Sequence, residues 1–166
     1  MRKIIVLFLL YFSITIYIFA QIDTTLIGKT PPEFDIISID DKIYQYSDFK
    51  GKIIVLNFWF PNCPPCVKEI PLLNNVVKYF ENKKSDIVFL AISVEGVKEF
   101  LQKFGKRKGF LYQISYNGKE IAELFGITSY PTNIIIDKQG KVTFTSVGYR
   151  DNIKEQMIEN IEKNLK

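Results

Sequence analysis

Two stretches of the chain are almost unbroken runs of apolar residues. Residues 52–60 read KIIVLNFWF, and residues 86–94 read DIVFLAISV. Runs of this length, rich in β-branched and aromatic residues, are typical of strands covered on both faces. They predict two central strands of a sheet that lies between layers of helices.

Elsewhere, apolar residues recur at the three- and four-residue spacing of amphipathic helices. This spacing predicts a helix from residue 64 to about residue 80 and a second helix over residues 97–104. It also predicts a short helix over residues 120–125 and a closing helix over residues 153–165. Strands that alternate with helices in this way favour an α/β fold with a largely parallel sheet.

Turn-flanked, strand-like segments near both ends of the chain predict two antiparallel hairpins. Residues 34–39 and 43–46 form the arms of the first hairpin around a polar turn. Residues 132–137 and 142–147 form the second, around a turn whose Gly140 adopts positive φ readily. The prediction is an α/β three-layer sandwich, with a central mixed sheet, helices on both faces and an N-terminal β-hairpin extension.

The first 20 residues differ in character from the rest. Arg2 and Lys3 precede a long apolar stretch, and Ala20 suits a cleavage site. Residues 1–20 are therefore predicted to be a secretory signal peptide. An uncleaved anchor is the alternative, because the apolar run is only slightly shorter than a membrane span.

Beyond this leader the chain has the composition of one globular domain. Of its 166 residues, 47% are hydrophobic and 24% are charged. We expect a linker over residues 21–30 and a single globular domain of ordinary size over residues 31–166. Removing Arg2 and Lys3 leaves 20 basic against 18 acidic residues. So small an excess argues against a nucleic-acid partner, and membrane association is expected only if the leader is uncleaved.

The reactive groups of the chain are concentrated in residues 59–71, WFPNCPPCVKEIP, which contain both of its cysteines. Two prolines separate Cys63 from Cys66, and prolines suit the first turn of a helix. Cys63 is thus expected at a helix N-terminus, where negative charge is favoured and a thiol ionises more readily. Cys66, one turn further and less exposed, is then the resolving thiol.

Two structural roles compete with redox chemistry for this cysteine pair. A stapling disulfide would constrain the unfolded chain little, because the loop it closes is so short. A zinc site would need further Cys or His ligands, and the chain has none. Thiol–disulfide exchange is therefore favoured, with the Cys63–Cys66 disulfide as the redox group and no cofactor or metal.

An apolar strand, Trp59, the CPPC sequence, Pro71 and a later Tyr130-Pro131 before another strand together resemble the thioredoxin fold. More narrowly, the stretch SDFKGKIIVLNFWFPNCPPCVKEIP resembles the TlpA/ResA-like family of extracytoplasmic thiol-disulfide oxidoreductases. The resemblance extends from about Gly28 to the end of the chain. It implies a reductant of protein disulfides in the periplasm or an equivalent compartment. It also implies a membrane thiol-electron donor, and cytochrome c maturation as a setting.

The resemblance also implies roles for residues near the sulfurs. Pro131 is expected to follow a cis peptide bond and to lie against the disulfide, while the main chain of Tyr130 pairs with a substrate. Glu69, six residues past Cys63, is expected to be half-buried with a raised pKa and to transfer protons. An acid that complements the helix dipole is the equal alternative for Glu69. Trp59 could simply fill the edge of the core, but the resemblance favours a position that flanks the sulfurs and contacts substrate.

Two departures from thioredoxin affect these expectations. Asn57 stands where thioredoxin has a buried Asp, which moves proton handling toward Glu69. Pro64 has no amide to offer a Cys63 thiolate, and this argues against the extreme thiol acidity of strong oxidants.

Two other functions remain as alternatives. Peroxiredoxins share the fold, but they need a Thr three residues before the reactive cysteine, where this chain has Phe60. Peroxide turnover should therefore be negligible. The other alternative is a non-enzymatic metal-binding or partner-binding module of the same fold. Its copper-delivering form uses a wider Cys spacing and a His, and this chain has no His.

Overall fold

A five-stranded mixed sheet forms the centre of the protein, in a computed structural model that describes residues 26–83 and 86–166. Its strands are β3 (Ile53–Trp59), β4 (Ile87–Ser93), β5 (Gln113–Ser115), β6 (Thr132–Ile136) and β7 (Val142–Val147). Their order across the sheet is β5-β4-β3-β6-β7. β3, β4 and β5 run parallel, whereas β6 is antiparallel to β3 and β7. The central position predicted for residues 52–60 is confirmed.

Within the described ranges, four α-helices cover this sheet. They are α1 (Pro64–Tyr79), α2 (Lys98–Lys108), α3 (Gly118–Phe125) and α4 (Ile153–Leu165). α2 is longer than predicted, because Lys106, Arg107 and Lys108 form one more turn beyond residue 104. Gly109 then ends it in the left-handed conformation (φ 68°), which glycine adopts without strain.

The side chains of β3 divide between two layers, because successive residues of a strand point to opposite faces. Leu56 and Phe58 pack with α3 and the N-terminal hairpin on one face. Ile53 and Val55 pack with α1 and α4 on the other face. Trp59, which points to the same face as Val55, packs with α2. This layering confirms the predicted three-layer sandwich.

The predicted N-terminal hairpin consists of β1 (Asp35–Ile37) and β2 (Ile43–Gln45). It lies beside the outer edge of β5, where the amide of Ile39 donates to the carbonyl oxygen of Ile114 at 3.0 Å. An uncovered strand edge invites pairing with other chains, so the hairpin protects this side of the sheet.

Residues that precede the hairpin pair with the start of β7, at the opposite edge of the sheet. The amide of Gly28 donates to the carbonyl oxygen of Val142 at 2.8 Å. The amide of Val142 donates to the carbonyl oxygen of Lys29 at 3.0 Å. Leu26 packs against the core cluster on the α3 face. The described part of the predicted linker, residues 26–30, is thus attached to the sheet. The predicted leader, residues 1–20, lies outside the described residues.

The functional site forms at the carboxyl end of β3. α1 begins shortly after this strand ends. Because β6 runs antiparallel to β3, with Phe58 opposite Thr132, the segment that leads into β6 returns to the same end of the sheet. The sheet therefore brings the CPPC turn and the Tyr130-Pro131 segment together, although they are far apart in the sequence.

Candidate active site

Cys63 and Cys66 form a disulfide at the N-terminus of α1, with their Cα atoms 5.2 Å apart. Cys63 is the N-cap residue, with extended backbone angles (φ −101°, ψ 100°), and Pro64 and Pro65 occupy the first turn. Prolines suit this turn because their fixed φ is close to helical and an amide there has no intrahelical acceptor. The predicted placement of Cys63 at a helix N-terminus is confirmed.

The first turn of α1 also determines how many donors face the Cys63 sulfur. The amide of Cys66 donates to Cys63 Sγ at 3.2 Å. Pro64 and Pro65 have no amide hydrogen to add. In the reduced protein, one amide and the positive end of the helix dipole would stabilise a Cys63 thiolate. This set of donors favours moderate activation of the thiol over the extreme acidity of strong oxidants.

Both cysteines are buried, at 4% exposure for Cys63 and 3% for Cys66. Cys66 is the less exposed of the two, as predicted, but the difference is only one percentage point in the disulfide form. The reason is that the bond holds both residues in one buried cluster. Asn62, Pro64 and Pro65 are exposed around them and form the surface that a partner protein would meet first.

Trp59 lies inside the protein, with 1% of its surface exposed. Its ring packs against Phe104 and Phe110, at centroid separations of 5.5 and 4.8 Å. It belongs to the same buried cluster as the two cysteines. In this state the Trp59 side chain has no surface to offer a substrate, so the structure favours the alternative role of filling the edge of the core.

The peptide bond between Tyr130 and Pro131 is cis, as the resemblance implies. Pro131 is buried, and the partly buried Tyr130 packs against the cluster that contains both cysteines. The ring of Tyr130 meets the ring of Phe60 edge-on, with centroids 5.5 Å apart. The structure thus places Tyr130 against the cluster that contains the disulfide and adds Phe60 beside it.

Glu69 is completely buried, more deeply than the predicted half-burial. Its Oε2 accepts hydrogen bonds from Nδ2 of Asn133 at 3.0 Å and from Nδ2 of Asn57 at 3.3 Å. Its Oε1 has no hydrogen-bond partner among the described residues. Burial raises the pKa of Glu69 from an ordinary 4.5 to about 7, while the two amide hydrogen bonds oppose the rise because they favour the carboxylate.

This environment distinguishes between the two roles considered for Glu69. An acid that complements the helix dipole lies in the first turn and faces water, but the first turn of α1 has no acidic residue. Glu69 instead lies in the second turn, three residues after Cys66, and points into the interior. Its raised pKa is as predicted, and a carboxyl group that titrates near neutrality is suited to proton transfer.

Residues 27–145 match the model of the AhpC/TSA family. The chain belongs to this family. It is 30% identical over 163 residues to thiol-disulfide oxidoreductase ResA of Geobacillus thermodenitrificans. The matched region covers 95% of this chain and 92% of the relative. It is 32% identical over 146 residues to ResA of Bacillus cereus, covering 87% and 82% of the two chains.

The fold of this AhpC/TSA family member is similar to that of solved structures. One is a protein of Chlorobium tepidum that is provisionally named thiol:disulfide interchange protein DsbE. It superposes with a TM-score of 0.75 at 25% identity, covering 84% of this chain and 98% of that chain. Together these likenesses confirm the predicted thioredoxin-like fold and the predicted class, a thiol-disulfide oxidoreductase.

Two polar residues of this site are not predicted from the sequence. Asn133 donates to Glu69, and the hydroxyl of Tyr112 lies 3.5 Å from Oδ1 of Asn57, to which it donates. The sequence contains a signal for Asn133. Asn57 interrupts an otherwise apolar, fully buried strand, and Asn133 precedes the three isoleucines of another fully buried strand. A buried amide needs hydrogen-bond partners, so two such amides predict that the residues meet.

Residues 26–83 and 86–166 contain neither a metal-binding cluster nor a membrane-spanning helix. No group of three or more His, Cys, Asp or Glu side chains there is arranged to hold a metal ion. No helix in that part of the chain combines the length and apolar character that crossing a membrane requires.

Proposed function

We propose that this protein is an extracytoplasmic reductant of protein disulfides that acts through the Cys63–Cys66 pair. The observation that carries the proposal is the position of the two sulfurs. One caps the N-terminus of α1, and the other lies one turn further along and is bonded to it. A sulfur stabilised as a thiolate beside a second sulfur within bonding reach is the arrangement that dithiol exchange requires.

The reaction begins with the reduced protein. The Cys63 thiolate attacks one sulfur of a substrate disulfide, forming a mixed disulfide, and the other substrate sulfur leaves with the electron pair and is protonated. Cys66 then loses its proton and attacks Cys63 Sγ. The mixed disulfide breaks, and the second substrate sulfur leaves as a thiolate and is protonated. The substrate gains two electrons and two protons, and the protein returns to the disulfide seen in the structure.

Glu69 is the group we assign to proton transfer during this cycle. Cys66 must lose a proton before it attacks, and Glu69 follows it by three residues on the same helix, which makes the two side chains neighbours. A pKa of about 7 lets the Glu69 carboxyl group both accept and release a proton near neutral pH.

The Tyr130-Pro131 segment is the proposed place of substrate binding. An extended segment of the substrate would pair with the main chain of Tyr130, and the partly exposed rings of Tyr130 and Phe60 would contact its side chains. Main-chain pairing tolerates many sequences, which fits an enzyme that reduces several protein disulfides.

The proposed direction, reduction, follows from the first turn of α1. Strong oxidants have a stable reduced form because their thiolate is stabilised. Here Pro64 and Pro65 lack two of the amides that would stabilise the Cys63 thiolate. A reductant must be reduced again after each cycle, and we propose a membrane thiol-electron donor for this step. We also propose a periplasmic or equivalent location, with cytochrome c maturation as the setting.

The reduction potential of the Cys63–Cys66 pair tests this direction. The full-length protein is equilibrated with glutathione buffers of known ratio, and the fraction of disulfide is read after acid quenching and alkylation. We expect a potential below about −230 mV, which is more reducing than the glutaredoxins. A potential near about −120 mV, typical of the strongest periplasmic oxidants, would reverse the assignment.

The peroxidase alternative has little support from the site. Phe60 stands where peroxiredoxins need a Thr hydroxyl, and its ring is occupied by the contact with Tyr130. An aromatic ring at that position donates no hydrogen bond to a bound peroxide. Exchange with protein disulfides remains the function that the geometry favours.

A further inference from the structure

The polar network around Glu69 spans three separate elements of the fold. Asn57 lies on β3 and Asn133 lies directly opposite it on β6, in the antiparallel register of the two strands. Nδ2 of Asn57 donates to Oδ1 of Asn133 at 2.9 Å as well as to Glu69, and the Tyr112 hydroxyl donates to Oδ1 of Asn57. The hydrogen bonds of this network therefore all lead, directly or through a second amide, to Glu69 on α1.

The two oxygens of Glu69 have different environments at the end of this network. Oε2 receives both amide hydrogen bonds, whereas Oε1, although buried, has no partner among the described residues. The two amide N–H groups bonded to Oε2 take up both of its lone pairs and leave none for a proton. A proton that binds Glu69 must therefore sit on Oε1.

We propose that Asn57 and Asn133 are positioning residues that hold Glu69 by Oε2 and leave Oε1 as the single oxygen that exchanges a proton with the active-site thiols. The inference rests on the proposed function. When Cys66 attacks Cys63, the Cys66 thiol gives its proton to Oε1 as the new S–S bond forms. The substrate sulfur leaves with the electron pair of the mixed disulfide and is protonated in turn by Glu69 or by water.

Few charged groups act on this carboxyl group. Asn57 and Asn133 are uncharged, and the Tyr112 phenol is neutral through the neutral range, because burial and then the Glu69 charge raise its pKa well above the usual value. On α1 itself, Cys66 is the neighbouring titratable group of the reduced protein. The two amides are thus the groups that set how firmly the carboxylate form of Glu69 is held.

A titration of the disulfide form tests the proposal without any substitution. The carboxyl carbon of Glu69 and the side-chain amide groups of Asn57 and Asn133 are followed by NMR from pH 5 to pH 9. We expect the carboxyl carbon to titrate with a midpoint near 7 and both amide groups to move with the same midpoint. Amide signals that stay still while Glu69 titrates would overturn the proposal.

Asn133→Leu provides the second test, because leucine has a similar size but donates no hydrogen bond. We expect it to move the Glu69 midpoint upward by about half to one pH unit, and to move the pH profile of thiol alkylation in the reduced protein in the same direction. Ser146→Ala is the matched control. Ser146 is buried opposite Asn133 on β7, its hydroxyl has no partner among the described residues, and its loss should leave the midpoint unchanged.

The outcomes separate this inference from the proposed function. A purely structural role for Asn133 would lower stability and leave the Glu69 midpoint where it is, which would refute the positioning role alone. Loss of the proposed function would instead appear as a wild-type protein that fails to reduce insulin, whatever Glu69 does. If Asn133→Leu does not fold, the wild-type amide titration still decides the question.

Discussion

Replacing Cys63 by serine should lower the rate of insulin reduction in the presence of dithiothreitol by at least about 100-fold, to the uncatalysed rate. Cys63 supplies the attacking sulfur, and no other cysteine than Cys66 exists in the chain to replace it. A serine hydroxyl cannot form a mixed disulfide. The precipitation of insulin B chains, followed by turbidity, measures the rate.

The matched variant is Cys66→Ser, which keeps the nucleophile and removes the resolving sulfur. We expect it to accumulate a mixed disulfide with the substrate in a ratio of about one to one, because intramolecular release by the second thiol is lost. Non-reducing electrophoresis would show this complex, and the double variant should show none. A Cys63→Ser protein as active as wild type would refute the assignment of roles.

Glu69→Gln should remove a loss of stability that the wild-type protein suffers as the pH rises. The pKa of Glu69 is about 7 in the folded protein and near its ordinary 4.5 in the unfolded chain. Between these values the folded state binds more protons than the unfolded state, so the free energy of unfolding falls as the pH rises from 4.5 to 7. This fall in the free energy of unfolding amounts to about 3 kcal/mol and is complete above pH 7.

Glutamine fits this site because it imitates the protonated acid. Its oxygen can accept both amide hydrogen bonds that Oε2 now receives, and its amide nitrogen takes the position of Oε1. We expect the disulfide form of Glu69→Gln to match wild type near pH 4 and to be up to about 3 kcal/mol more stable at pH 8.

Urea unfolding at the two pH values measures this difference for both proteins. Other groups titrate equally in wild type and variant, so they cancel when the two are compared. Glu120→Gln makes the same chemical change at an exposed position of α3 and serves as the control. Equal stabilities of wild type and Glu69→Gln at pH 8 would mean that Glu69 is not held in the environment described above.

Much of the fold follows from local patterns in the sequence. Residues 53–60 are apolar apart from Asn57 because both faces of β3 are covered, and this pattern alone places the strand at the centre. The helix start at Cys63 is equally local, since Pro64 and Pro65 fix the first turn. The cis bond before Pro131 is different, because only the resemblance to a known family indicated it.

The features that the sequence does not reveal depend on how distant elements dock. Trp59 is buried because Phe104 and Phe110, far away in the chain, pack over it. The depth of Glu69 depends on Asn133, which reaches it only through the register of β6 against β3. No periodicity in the sequence reports such pairings, since each requires the completed sheet.

The reactivity of Cys63 as a function of pH is the most direct measure of the proposed mechanism. The reduced protein is treated with iodoacetamide from pH 4 to pH 10, and the alkylated residue is identified by mass spectrometry. We expect Cys63 to react before Cys66, with an inflection clearly below the value of about 8.5 that is typical of a free cysteine. A Cys63 profile that follows a free cysteine across the whole range would contradict activation at the start of α1.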